Sequence, residues 1–190
     1  SPYFIIISPI LSFIGMFLYI RDMTRGTTKP NRVSFFLWAF APIVGALISF
    51  SQGAGLSAIP VLLAGLGPTL VLIASFIIKQ GYWKLGVLDY ICGALALTTF
   101  VIWLAAKDPA LALGFAIATD LLAYIPTMVK VYTNPETETS WAYILPTFGN
   151  IVGLLILKEW QFTHYGFSLY LICANILCVC LIYRKKCNLF

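Results

Sequence analysis

Charge is scarce in this chain. Twelve Lys and Arg and seven Asp and Glu make up 10% of its 190 residues, where a soluble domain carries about 25%. Too few charges remain to cover an aqueous surface, so most of the surface must face lipid. Basic residues outnumber acidic ones, giving a net charge of +5, but they are not clustered into the patch that nucleic acid needs. Histidine is nearly missing too. The one His, His164, excludes hydrolases built on clustered His and carboxylates. No Gly-x-Ser-x-Gly elbow occurs, and no lysine lies in the last apolar run, where a retinal Schiff base would need one. The chain is therefore expected to have no catalytic residues, no metal and no cofactor. Of the five cysteines, Cys92, Cys173, Cys178 and Cys180 fall inside apolar runs and Cys187 follows the last one. Cys178-x-Cys180 lacks the second ligand pair of a zinc site, so these read as small packing residues.

What is abundant is apolar length. Hydrophobic residues make up 61% of the chain. A bilayer core about 30 Å thick needs about 20 apolar residues per helix, and seven runs meet this, near 3–20, 34–50, 56–78, 87–105, 110–131, 141–157 and 165–183. They are too long and too continuously apolar for barrel strands. The first has no small-residue cleavage pattern after it, so it reads as a span and not as a cleavable signal. With seven spans, the loops after the first, third and fifth share a side with the C-terminus. That side holds Arg21, Arg25, Lys29, Arg32, Lys79, Lys84, Lys130, Arg184, Lys185 and Lys186, against Lys107 and Lys158 opposite. The positive-inside rule then puts the N-terminus outside and the C-terminus in the cytoplasm.

The chain also resembles itself. Ile43-Val44-Gly45 aligns with Ile151-Val152-Gly153, and Leu37, Phe40 and Leu47 with Leu145, Phe148 and Leu155. Upstream, Tyr19-Ile20-Arg21-Asp22-Met23 resembles Tyr124-Ile125-Pro126-Thr127-Met128. One helix separates the two copies, so both cross the membrane in the same direction, as parallel repeats do. The expected architecture is an all-α membrane protein in a 3+1+3 arrangement: a first three-helix repeat over 1–80, a linker helix over 81–107 and a second three-helix repeat over 108–190.

The segment LLAYIPTMVKVYTNPETETSWAYILPTFGNIVGLL, Leu121 to Leu155, resembles the SWEET and PQ-loop transporter superfamily, with the motif resemblance reaching about Leu157. Its features are Pro126, Lys130, the loop from Asn134 to Thr139, Ser140, and Gly149-Asn150 with Gly153. The seven-helix topology resembles the family over the whole chain. The Pro-Gln pair is absent: Pro126-Thr127 stands there in the second copy and Arg21-Asp22 in the first. The chain thus looks like a divergent member. The resemblance implies a secondary transporter or facilitator of a small polar solute, sugar first, working by alternating access in the lipid bilayer. A homo-oligomer is compatible with it, and nucleic acid is not an expected partner. The competing reading is a non-transporting adaptor or sensor on the same fold.

Polar residues deep in the spans are the site candidates, because an ionisable group at that depth must be protonated, paired or hydrated. Asp120 lies mid-span, with Tyr124 one turn on along the same face. Each reads as a solute or proton-coupling contact, or else as a structural hydrogen-bonding group. The resemblance nominates Asn150 and Asn175 as solute-facing. Their repeat counterparts are Pro42 and Thr69, and interhelical hydrogen bonding is the competing role. Trp38 is either a stacking surface for a ring-shaped solute or a packing residue. Asp89, near a span end, reads as an interfacial cap. Ser8, Ser12 and Gly15 make a small face suited to close helix packing. Prolines at 9, 42, 60, 68, 126 and 146 fall within spans, where each removes a backbone donor. Pro42, Pro126 and Pro146 are the expected gate or hinge positions.

Overall fold

The fold is that of a computed structural model, which describes residues 4–51, 53, 59–78 and 84–184. Tyr3, Leu56, Lys79, Lys185, Lys186 and Cys187 lie outside the described residues, as does the side chain of Ser8. Among the described residues there are seven α-helices, one 3-10 turn and no strand: α1 Phe4–Thr24, α2 Arg32–Ser51, α3 Ile59–Ile77, α4 Val87–Ala105, α5 Pro109–Thr133, the turn Pro135–Thr137, α6 Trp141–Leu155 and α7 Phe162–Tyr183. By length and composition, α4, α5 and α7 are long and apolar enough to cross a membrane. The stretches Arg32–Leu47, Val61–Ile77 and Trp141–Leu155 are apolar but shorter.

Helix ends differ from the apolar runs because polar residues continue helices. α1 runs past the apolar stretch through Arg21 and Asp22 and stops where Gly26 takes φ 73°, a conformation that glycine adopts without a Cβ clash. The N–H groups of Gly26 and Thr27 return to the Met23 and Asp22 carbonyls. At the start of α2, Asn31 Oδ1 accepts from the N–H groups of Val33 and Ser34, at 3.0 and 3.2 Å. The Asn31 amide nitrogen donates to the Asp89 carboxylate, whose other oxygen accepts from the Gly86 N–H. Asp89 does cap α4, as its position suggests, but it is buried and ties α4 to the start of α2. Asp108 caps α5 by accepting from Leu111 N–H at 2.8 Å, with Pro109 in the first turn. Pro60 is the second residue of α3, where a missing N–H removes no helix bond, so it is a helix start and not a kink. Pro9, Pro42, Pro68, Pro126 and Pro146 lie inside their helices.

The packing pattern repeats between the two halves. α3 touches α1 and α2, and α7 touches α5 and α6. Across the halves, α1 packs on α6 and α2 on α5. α4 rests on α5 and α2. The α1–α6 approach is close: a Cβ on Gly15 would sit 2.8 Å from the Trp141 carbonyl oxygen, so glycine is required there by space. The core lies where the halves meet and holds Tyr19, Phe35, Tyr124, Val131, Tyr143 and Cys178. The outward faces are apolar as well. Val87 is 76% exposed and Leu155 79%, and apolar surface of this extent needs a nonaqueous neighbour.

Candidate functional site

Four of the six residues expected to bind solute form one connected cluster. Tyr170 Oη donates to Asp120 Oδ2 at 2.9 Å, and Tyr124 Oη donates to Asn175 Oδ1 at 2.6 Å. The Tyr124 and Tyr170 rings meet edge to face, with centroids 6.4 Å apart. The Trp38 ring lies 4.6 Å from Tyr124 on the other side and continues through Phe35 to Tyr19, at 5.2 and 5.0 Å. α5 carries Asp120 and Tyr124 one turn apart, α7 carries Tyr170 and Asn175, and α2 supplies Trp38 from the other half of the chain. The Trp38 Nε1–H is buried and has no hydrogen-bond partner. Leaving such a donor unmade is costly, so this N–H marks a place where a polar guest gains a bond.

The other two candidates stay outside this network. Asn150 Nδ2 donates to the Pro146 carbonyl of its own helix at 2.9 Å. Thr69 Oγ1 donates to the Gly65 carbonyl, also within its own helix, at 2.7 Å. Both bonds run back one turn and reach no neighbouring helix. Of the three prolines, Pro126 is buried, whereas Pro42 and Pro146 are half-buried. Next to Pro126, Thr127 Oγ1 donates to Ser34 Oγ at 2.9 Å, and Ser34 Oγ donates to the Ala123 carbonyl at 2.6 Å. This chain of bonds pins α5 to α2.

A second polar cluster closes the end that carries the α1–α2 and α5–α6 loops. Lys130 and Glu138 form an ion pair with both side chains fully buried. Lys130 Nζ also donates to the Lys29 carbonyl and, at 3.4 Å, to the Thr137 carbonyl. The Lys29 N–H donates to the Thr137 carbonyl at 2.9 Å. Thr139 Oγ1 donates to Asp22 Oδ2 at 2.8 Å. The two loops are thus latched to each other across the halves. Glu138 Oε1 and the Tyr19 and Tyr143 hydroxyls make no hydrogen bond of good geometry, but both tyrosines interact with that carboxylate, Tyr19 at hydrogen-bonding range.

Of the residues the sequence nominates, the structure brings Asp120, Tyr124, Asn175 and Trp38 together; Tyr170, which holds the Asp120 carboxylate, was not among them. Tyr170 looked like one more aromatic in an apolar run. The Lys130–Glu138 pair was also missed. Its partners are eight residues apart, beyond the i, i+4 spacing that flags a helical pair. They meet because Pro135 and the 3-10 turn fold the chain back. The signal available was an acid in a loop of the resembling segment, eight residues beyond its one lysine. No family model, no curated protein and no solved structure matches this chain.

Proposed function

We propose that this protein is a secondary transporter or facilitator of a small polar solute, with seven transmembrane helices in two parallel three-helix repeats joined by α4. The N-terminus lies outside and the latched loops face the cytoplasm, following the distribution of basic residues. Helix pairing of the same kind in both halves supports the repeat reading: α1 with α3 mirrors α5 with α7, and α2 with α3 mirrors α6 with α7. The observation that carries the transport reading is the buried cluster of Asp120, Tyr170, Tyr124, Asn175 and Trp38, drawn from both halves and holding an unpaired indole N–H. Hydrogen-bonding groups beside aromatic faces suit a ring-shaped polyol, so a sugar heads the candidate solutes. Rocking of the halves about this cluster gives access from alternate sides, and release of the loop latch opens one of them. Asp120 is the proton-coupling residue in this scheme.

Uptake of a panel of labelled sugars, amino acids and vitamins into proteoliposomes tests the proposal. At least one solute is expected to enter faster than in protein-free liposomes. Uniform leakage at the protein-free rate across the panel would transfer the fold to a non-transporting adaptor or sensor.

A further inference from the structure

Beside the loop latch lies a cavity of about 450 Å³, separate from the deep cluster. Its wall is rich in acceptors. Its lining residues include the acids Asp22, Glu136 and Glu138, the hydroxyl residues Thr28 and Thr139, and Trp141. Two of these groups are buried and incompletely bonded. Thr28 is 1% exposed and its Oγ1 has no partner, and Glu138 is 7% exposed with Oε1 unpaired. They come from opposite loops, Thr28 before α2 and Glu138 before α6, so a guest that bonds both bridges the halves.

The charges select among guests. Glu138 Oε2 is held by Lys130, and Asp22 Oδ1 by Arg21 at 2.8 Å. Glu136 is exposed and makes no ion pair among the described residues, which leaves one carboxylate uncompensated at the wall. Arg25, exposed, and Lys29, half-buried, sit on the α1–α2 loop, but neither lines the cavity. No group of three or more metal-ligating side chains occurs among the described residues, so a chelated metal does not fit. An ammonium has donors and no acceptor, which matches Glu138 Oε1 and Thr28 Oγ1, and the Trp141 ring adds a cation–π face.

We propose that this cavity is a binding site for a small protonated amine, held between Glu138 Oε1 and Thr28 Oγ1 with Glu136 supplying the attracting charge and Trp141 the aromatic wall. Occupancy fastens the α1–α2 loop to the α5–α6 loop.

Titration calorimetry on the full chain in detergent micelles tests it, with ethanolamine as probe and ethylene glycol as its neutral counterpart of equal size. Ethanolamine is expected to bind at least tenfold more tightly. Glu136→Gln, at an exposed position, and Thr28→Val, which keeps the side-chain shape, should each weaken ethanolamine by about tenfold while both variants stay monodisperse. Should Thr28→Val fail to fold, Glu136→Gln alone decides. Equal binding of the two probes, no binding of either, or wild-type affinity in the variants would overturn the proposal. The readout is binding and not transport, so its failure leaves the transport reading standing, and failure of uptake leaves this site standing.

Discussion

Replacing Lys130 with Met removes a charge from a site where both partners are fully buried. Met keeps most of the stem volume, so the perturbation is electrical and not a cavity. Glu138 then holds a carboxylate with neither oxygen paired, since Oε1 has no partner in the native fold either. Breaking a buried pair by removing one partner costs about 3–5 kcal/mol. Losing the ammonium bond to the Lys29 carbonyl adds about 1 kcal/mol. Unfolding in mixed detergent micelles, followed by tryptophan fluorescence, measures the sum. Lys130→Met with Glu138→Gln should recover most of the loss at neutral pH, because no uncompensated charge remains. A single-variant loss below about 1 kcal/mol, the size of a solvent-exposed pair, would refute the reasoning, as would a double variant no more stable than the single.

Four further outcomes are expected. Asp120→Asn should still exchange solute across the membrane but lose uptake driven by a pH gradient; unchanged pH-driven accumulation in proteoliposomes would remove Asp120 from coupling. Tyr124→Phe deletes the donor to Asn175 Oδ1 and should cost about 1–3 kcal/mol of stability, together with a slower uptake rate, read by micelle unfolding and flux. Gly15→Ala forces the α1–α6 contact apart and should cost about 1–3 kcal/mol in the same unfolding assay, whereas Gly114→Ala, with nothing within 4 Å of its Cβ position, should not. Single cysteines at Gly26 and Thr163, in a background without the native ones, should be labelled by a membrane-impermeant reagent from opposite sides.

Helix count and approximate helix positions were legible in the sequence because each helix carries a long apolar run, and α4 matches its run at both ends. Boundaries slipped where a helix runs on through polar residues: through Arg21, Asp22 and Thr24 in α1, and through Thr163 and His164 near the start of α7. In the deep cluster, the one-turn spacing of Asp120 and Tyr124 showed a shared face but not the bonding. Tyr124 turns to Asn175 and leaves Asp120 to Tyr170, a choice set by how α7 packs on α5. Asn150 and Thr69 were nominated by resemblance and repeat alignment, neither of which reports that an amide or hydroxyl can satisfy itself on its own helix. The loop latch depends on two loops meeting across the halves, and no local pattern encodes that meeting.

Alternating access requires the latched loops to part during each cycle. The Lys29 N–H and the Thr137 carbonyl are hydrogen-bonded across the latch at 2.9 Å, so Lys29→Cys with Thr137→Cys places two thiols on neighbouring backbone. Solute exchange by this double variant, in a background without the native cysteines, is measured in proteoliposomes after oxidation and again after reduction. The account predicts exchange in the reduced protein, none once the disulfide forms, and recovery when it is reduced. Equal exchange in both states would contradict a transport cycle that rocks the two halves apart.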